Sequence, residues 1–278
     1  MPQPVRRVGP PRLAVGCCAY SYREHLTGAA SPALSVEGFL DECARAGCDG
    51  VELTSYYLPN PLPYHAARLL ATRACRLGLH IAGTAVGGSL ALPAGPERDA
   101  QIGVVRRWID ACIDLGGASV RVFAGAAPEG VPEVTARKWA VESLLECLAH
   151  ASDRGVLLAL ENHGGLTATA EGLLGLVDTV SSEWLAVELD TGNFLTEDPY
   201  ADLARCSPYA VAVHVKTDIF PAGHREATDY ARIAQLLRES GYRGYLHLEY
   251  EGREPAWTAV PEALRAIRAA TAASQGSP

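Results

Sequence analysis

Four residues able to bind a divalent cation, Glu161, Asp190, His214 and Glu249, sit at the ends of short apolar runs in the second half of the chain. The runs are VLLALENH (Val156 to His163), LAVELDTGN (Leu185 to Asn193), AVAVHVKTD (Ala210 to Asp218) and YLHLEYEG (Tyr245 to Gly252). Within each run the polar residues share one parity: Glu161 with His163, Glu188 with Asp190, His214 with Lys216, and His247 with Glu249 and Glu251. Leu160, Leu189, Val213, Val215 and Leu248 occupy the other. Strand side chains alternate between faces, so one face of these segments is apolar and the other gathers charge. Carboxylates and an imidazole inside a sheet are costly unless paired or bound to a cation. Three carboxylates and one neutral imidazole, without a thiolate, suit one hard or borderline divalent ion: Mn²⁺ first, then Mg²⁺, Co²⁺ or Zn²⁺. The lack of thiolate ligands argues against a structural zinc site.

Strand-like and helix-like segments alternate about eight times along the chain. Strands are predicted at Leu13 to Tyr22, Gly50 to Tyr57, HIAGTAVGG and Ser119 to Gly125, ahead of the four runs above. Helices fall between them. The first is capped by Ser35 and stopped by Gly47, and the third carries Val104, Val105, Trp108, Ile109, Cys112 and Ile113 on one stripe. Short apolar strands alternating with helices imply parallel pairing through right-handed crossovers. Eight such units close most simply into a single (β/α)8 TIM barrel, whose active site forms at the C-terminal ends of the strands. A doubly wound sheet is the alternative, but no GxGxxG or GxxxxGK[ST] follows the first strand. The expected division is a disordered leader over 1–12, one barrel domain over 13–271 and a frayed tail over 272–278.

A net charge of −8 argues against a nucleic-acid surface. No apolar run approaches the roughly 20 residues that span a bilayer. The eight cysteines are scattered without a CxxC pair, and Cys43, Cys75, Cys112 and Cys147 fall in helical apolar patterns where cysteine acts as a small hydrophobe. A reduced, cytoplasmic protein is the expectation, and a homo-oligomer is compatible with it.

The strings ENHGG, ELDTGNF, HVKTD and HLEYEG, with YSY on the first strand and GVELTS on the second, resemble the sugar phosphate isomerase/epimerase superfamily, the xylose isomerase-like or endonuclease IV-like barrels. The resemblance runs from about Leu13 to Ala270. It implies an α/β barrel with a metal centre acting on a sugar, ketose or polyol-like substrate. In the ketose 3-epimerase branch, one glutamate, one aspartate, one histidine and a second glutamate on strands five to eight hold one metal. The two glutamates there also move protons on opposite faces of the substrate. Those roles fall on Glu161, Asp190, His214 and Glu249, with Glu161 and Glu249 as the catalytic pair. One departure is Asn193, where many relatives carry a histidine; an amide cannot act as a base near neutral pH.

The resemblance also covers lyases, dehydratases and endonucleases. A lyase or dehydratase of a keto-sugar or keto-glycoside is the main alternative. An endonuclease needs further histidine ligands and DNA-facing cations, and a non-catalytic sugar-binding subunit would not need the paired glutamates. Expected substrate contacts are His163, Lys216, Arg121, Arg225 and Glu52, with structural alternatives: Lys216 as a neutraliser of Glu188, Arg121 as a buried partner of Glu52 or Glu188, and Arg225 with His224 as an exposed loop pair. His247 is expected to be a satisfied interior residue. Tyr20, Tyr22, Tyr56 and Tyr57 are candidates for an apolar wall beneath a sugar ring. The lack of a glycine-rich phosphate loop leans towards an unphosphorylated substrate.

Overall fold

The computed structural model describes residues 2–273. Eight parallel strands close a barrel: β1 (Arg12–Cys18), β2 (Gly50–Thr54), β3 (His80–Ala85), β4 (Ser119–Val122), β5 (Leu157–Glu161), β6 (Leu185–Asp190), β7 (Ala210–Val215) and β8 (Arg243–Leu248). Their order around the barrel is β1-β8-β7-β6-β5-β4-β3-β2. The TIM barrel expected from the alternation is therefore the observed fold.

Eight main helices form the outer ring: α1 (Val36–Arg45), α2 (Tyr64–Arg76), α3 (Pro96–Leu115), α4 (Glu133–Arg154), α5 (Ala170–Val180), α6 (Pro199–Cys206), α7 (Tyr230–Glu239) and α8 (Ala256–Ala273). Ser35 caps α1 by accepting from the Gly38 amide at 3.1 Å, as a serine before an apolar-periodic run should. The α3 stripe packs inward, with Val105, Trp108, Ile109 and Cys112 buried and Val104 and Ile113 partly so. All eight cysteines are free, and Cys75 is exposed on α2 rather than part of the core. Among the described residues no helix is long and apolar enough to cross a membrane.

Several strands are shorter than the sequence pattern. The apolar run of β1 continues as a 3-10 turn at Ala19–Tyr22, and that of β2 as another at Ser55–Tyr57. Both turns redirect the chain at the mouth of the barrel, where strand pairing has ended. Tyr22 is consequently withdrawn from the mouth and packs against Phe39 and Trp257. Tyr20, Tyr56 and Tyr57 remain beside one another, edge to face at centroid distances of 6.3 and 6.1 Å.

The leader expected to be disordered makes contacts in the structure. Val5 donates its amide to the Pro208 carbonyl. Arg7 donates to the carbonyls of Ser240, Ser207 and Ala210, over the Tyr242 ring, at the N-terminal ends of β7 and β8. At the other terminus α8 runs to Ala273, and the tail beyond it lies outside the described residues.

The lumen is filled by side chains from unlike strands, and two glycines make room for rings. A Cβ at position 16 would lie 2.4 Å from Cδ2 of His247 and 2.9 Å from the Gly50 carbonyl oxygen. Gly16→Ala should therefore destabilise the protein by about 1–3 kcal/mol, the usual cost of overpacking. Gly103→Ala, in mid-helix with only the tip of Arg107 within 3.3 Å, should be neutral or stabilising by up to about 1 kcal/mol. Urea unfolding of the two variants checks the contrast.

Candidate metal centre

Strand termination places the four ligand-type residues on one level. Glu161 and Asp190 are the last residues of β5 and β6, His214 is the penultimate residue of β7, and Glu249 follows β8 directly. Asp190 pairs in register with His214, which pairs with His247. Glu249 lies two residues further along the same face, bringing it up to the imidazole. One potential ligand atom from each of Glu161, Asp190, His214 and Glu249 lies within 4.8 Å of all the others. Ligands about 2.0–2.3 Å from a shared ion can be at most roughly 4.6 Å apart, so the cluster is within a few tenths of an ångström of coordination.

The donors also fit a cation by what they lack. Glu161 and Asp190 are 1% and 0% exposed, His214 0% and Glu249 5%. Glu161 Oε2, Asp190 Oδ2 and His214 Nδ1 make no hydrogen bond, although buried polar atoms are normally satisfied; the two carboxylate oxygens have only ion-pair contacts, with Arg121 at 2.9 Å and Lys216 at 3.5 Å. His214 Nδ1 faces the cluster, 3.8 Å from Glu161 Oε2 and 3.5 Å from Glu249 Oε2.

The cluster is held from behind by polar groups on neighbouring segments. Arg121 on β4 brings Nε to 2.9 Å from Glu161 Oε2 and donates to the Val86 carbonyl. Asn193 Nδ2 donates to Glu161 Oε1 at 3.1 Å. Lys216 Nζ donates to Glu249 Oε2 at 2.5 Å and Glu251 Oε2 at 2.7 Å, and lies 3.5 Å from Asp190 Oδ2. Asn162 fixes the Asp190 backbone with two 2.8 Å hydrogen bonds, one to its carbonyl and one from its amide.

These surroundings set the protonation of the metal-free cluster. Burial pushes the Glu161 carboxyl up to about 8, against the pull of Arg121 and His214. Burial likewise raises Asp190 to about 6, opposed by Lys216. Glu249 goes the other way: burial would raise it, but His214, Lys216 and Arg121 together hold it below the usual carboxylate range. Burial disfavours the His214 cation, yet Glu249, Glu52 and Glu188 raise its value well above 6.5.

A family profile described as the xylose isomerase-like TIM barrel matches residues 40–270. The chain belongs to that family. No curated protein matches it in sequence. Among solved structures it is similar to D-psicose 3-epimerase with D-tagatose from Clostridium cellulolyticum H10, at 16% identity and a TM-score of 0.74 over 94% of this chain and 98% of that one. It is also similar to 3-keto-D-glucoside 4-epimerase from E. coli, at 16% identity and a TM-score of 0.72 over 93% and 99%. A probable 3-DHS dehydratase from Bacillus anthracis shares 16% identity, with a TM-score of 0.68 over 91% and 97%.

Within this xylose isomerase-like barrel, the residues expected to touch substrate occupy different places. Arg121 and Lys216 border the cluster directly. Arg121 pairs with Glu161 rather than Glu52 or Glu188, and Lys216 pairs with Glu249 and Glu251 rather than Glu188. His163 is exposed two residues past Glu161 and packs on Phe123, with ring centroids 4.1 Å apart. Arg225 pairs with Asp218 on the exposed loop after β7. Glu52 lies behind His214, its Oε2 2.6 Å from Nε2. His247 is interior, but neither ring nitrogen has a hydrogen-bond partner. The expectation of a satisfied histidine fails there because its neighbour on the lumen face is the Tyr245 ring, stacked at 5.4 Å.

From the sequence Glu188 is expected only as an ion-pair partner of Lys216 or Arg121, and Asn162 has no expected role. Glu188 has the inward parity and brings Oε1 to 3.6 Å from His214 Nε2. Asn162 was detectable as an amide on the apolar parity, buried between Glu161 and His163.

His214→Ala should abolish stoichiometric binding of Mn²⁺, read by elemental analysis, while the metal-free protein remains folded. Protonation supplies a second expectation. Glu161 and His214 have folded values above their unfolded ones of 4.5 and 6.5, so the folded chain keeps protons that the unfolded chain has released. The stabilisation they give is complete below those unfolded values and is lost as pH rises. His163 and His247, whose values burial lowers, act in the opposite sense mainly below pH 7. The melting temperature of chelator-treated protein should thus fall between about pH 7 and 8. Added Mn²⁺ should raise it more at the upper end, where protons no longer compete for the ligands.

Proposed function

We propose that this protein is a divalent-metal-dependent isomerase or epimerase acting on a sugar, ketose or polyol-like substrate through an enediolate. The observation carrying this reading is the convergence of Glu161, Asp190, His214 and Glu249 at the barrel mouth, with three ligand atoms lacking hydrogen-bond partners. The ion, Mn²⁺ by preference, would be held by these four side chains. When bound it supplies Lewis-acid polarisation of the substrate carbonyl and stabilises the negative charge that develops on the adjoining oxygens.

The protein groups handle the protons. Glu161 and Glu249 approach His214 Nδ1 from strands β5 and β8, so a substrate between them presents its acidic carbon to two carboxylates. One removes the proton and the other returns one. Return to the opposite face of the same carbon inverts it, whereas return to the neighbouring carbon moves the carbonyl. Lys216 and Arg121 can each donate to a substrate hydroxyl or oxyanion as well as to their present carboxylates. His163, exposed and packed on Phe123, would contact the part of a substrate that projects from the mouth.

A metal-dependent lyase or dehydratase is the second reading. It shares the enediolate, and a probable dehydratase is among the structural relatives at the same 16% identity as the epimerases above. Screening the Mn²⁺-loaded protein against ketoses, inosose-like ketones and keto-glycosides separates the readings: epimer or isomer formation supports the first, and loss of water or aglycone the second. In D₂O, an isomerase or epimerase of this kind should place deuterium on the carbon beside the carbonyl. Product without solvent deuterium would indicate a hydride shift. Glu249→Gln should reduce turnover at least about 10²-fold, as expected for loss of a general base, while metal stays bound. Full activity would remove Glu249 from proton transfer.

A further inference from the structure

His214 is gripped on the side away from the cluster, and the barrel is irregular beside the groups that grip it. Its Nε2 lies 2.6 Å from Glu52 Oε2 and 3.6 Å from Glu188 Oε1, while Nδ1 faces Glu161 and Glu249. Glu52 reaches this position from β2, which is separated from β7 by β1 and β8 in the barrel order. The contact is therefore made across the lumen rather than along a sheet ladder.

Both register shifts in the barrel occur at these two carboxylates. Between β2 and β3 the pairing changes from Val51 with Ile81 to Glu52 with Gly83, passing over Ala82. Between β6 and β7 it changes from Val187 with Ala210 to Glu188 with Ala212, passing over Val211. An extra residue of this kind bends the strand and re-aims the side chains beside it. Here the extra residues are Ala82 on β3 and Val211 on β7, opposite Glu52 and Glu188, and the second sets the phase of β7 three residues before His214.

Glu52 has no comparable role as a metal ligand of its own. Its oxygen, His214 and the Cys18 sulfur form a second close trio. However, Nε2 is already engaged by Glu52 at 2.6 Å, so that trio offers no free imidazole nitrogen. Glu52 lies across the His214 ring from the cluster, its Oε2 at Nε2 while Glu161 and Glu249 face Nδ1.

We infer that Glu52 is a positioning residue for His214: its carboxylate accepts the Nε2 proton, fixes the ring and leaves the Nδ1 lone pair directed at the ion, with Glu188 as a second neighbour on the same side. A carboxylate behind a ligating imidazole fixes its tautomer and raises its basicity. This inference rests on the metal-centre reading above.

The test is Mn²⁺ calorimetry on metal-free wild type, Glu52→Gln and His214→Ala, joined to ¹⁵N NMR of histidine-labelled wild type titrated with ¹¹³Cd²⁺. Glu52→Gln keeps the shape and an acceptor oxygen but removes the charge. It should bind one ion about 10–100-fold more weakly than wild type, and His214→Ala should bind none. In the NMR spectrum, His214 should couple to cadmium through Nδ1 and retain its proton on Nε2. Glu52→Gln affinity equal to wild type, or a metal bond at Nε2, would overturn the proposal. If the Gln variant does not fold, the wild-type spectrum alone decides through the site of the proton and the metal. Wild type that binds neither ion would overturn the metal-centre reading and this inference with it, an outcome distinct from a variant that binds normally.

Discussion

Charge held out of water at the mouth of the barrel is the constraint on which the rest of the structure depends. Glu52, Glu161, Glu188, Asp190 and Glu249 are buried there with Arg121, Lys216 and His214. Burial raises Glu188 well above the usual carboxylate range, which favours its neutral form. With the four remaining carboxylates ionised and His214 neutral as a ligand must be, Arg121 and Lys216 offset two of the four negative charges. A divalent cation offsets the other two. Without it, balance requires the protons that Glu161, Asp190 and His214 retain. Few buried charges survive unpaired, and the buried donor set is consistent with a divalent ion.

The scaffold meets this demand with rigid elements. Ligands at the ends of four adjacent parallel strands inherit their spacing from the hydrogen-bonded sheet, and helices on the outer face exclude water from its back. Within the sheet, a missing side chain and two bulges lie beside interior groups. Gly16 opens the lumen to the His247 ring, and the two bulges lie beside Glu52 and Glu188. Asn162 ties β5 to the Asp190 backbone, so an aspartate at the last residue of its strand does not fray with the loop that follows. This division, a regular sheet with local exceptions at charged positions, gives precise placement without asking the loops for it.

Much of this was legible in the sequence because period-two alternation is a local property. Glu161, Asp190, His214 and Glu249 announced themselves by sharing the parity opposite to Leu160, Leu189, Val213 and Leu248. The barrel followed from the strand–helix rhythm, and Ser35 from its place before an apolar stripe. What escaped was non-local. Glu52 and His214 are 162 residues apart and on strands that do not pair, so no spacing rule connects them. Nor does parity say which of several inward carboxylates an arginine or lysine will choose. That is why Arg121 was referred to Glu52 or Glu188 and found on Glu161. Strand ends were overextended for a related reason: the aromatic residues after β1 and β2 continue the apolar pattern while the chain has already turned into 3-10 geometry.

Asn193 shows how one change of residue type can alter the control of such a site. A histidine at this position would add a titratable group beside Glu161, one whose hydrogen-bonding role would depend on pH. The amide of Asn193 donates to Glu161 Oε1 at every pH at which the protein is folded. That fixes the carboxylate in one orientation and leaves Oε2 facing Arg121 and the cluster. The other glutamate is held quite differently, by an ammonium group: Lys216 shares its protons between buried Glu249 and exposed Glu251. An amide can orient a carboxylate but contributes no net charge, whereas an ammonium stabilises the ionised form. In the metal-free cluster burial raises Glu161 despite Arg121, whereas His214, Lys216 and Arg121 hold Glu249 low, an asymmetry in keeping with the proton donor and acceptor proposed above.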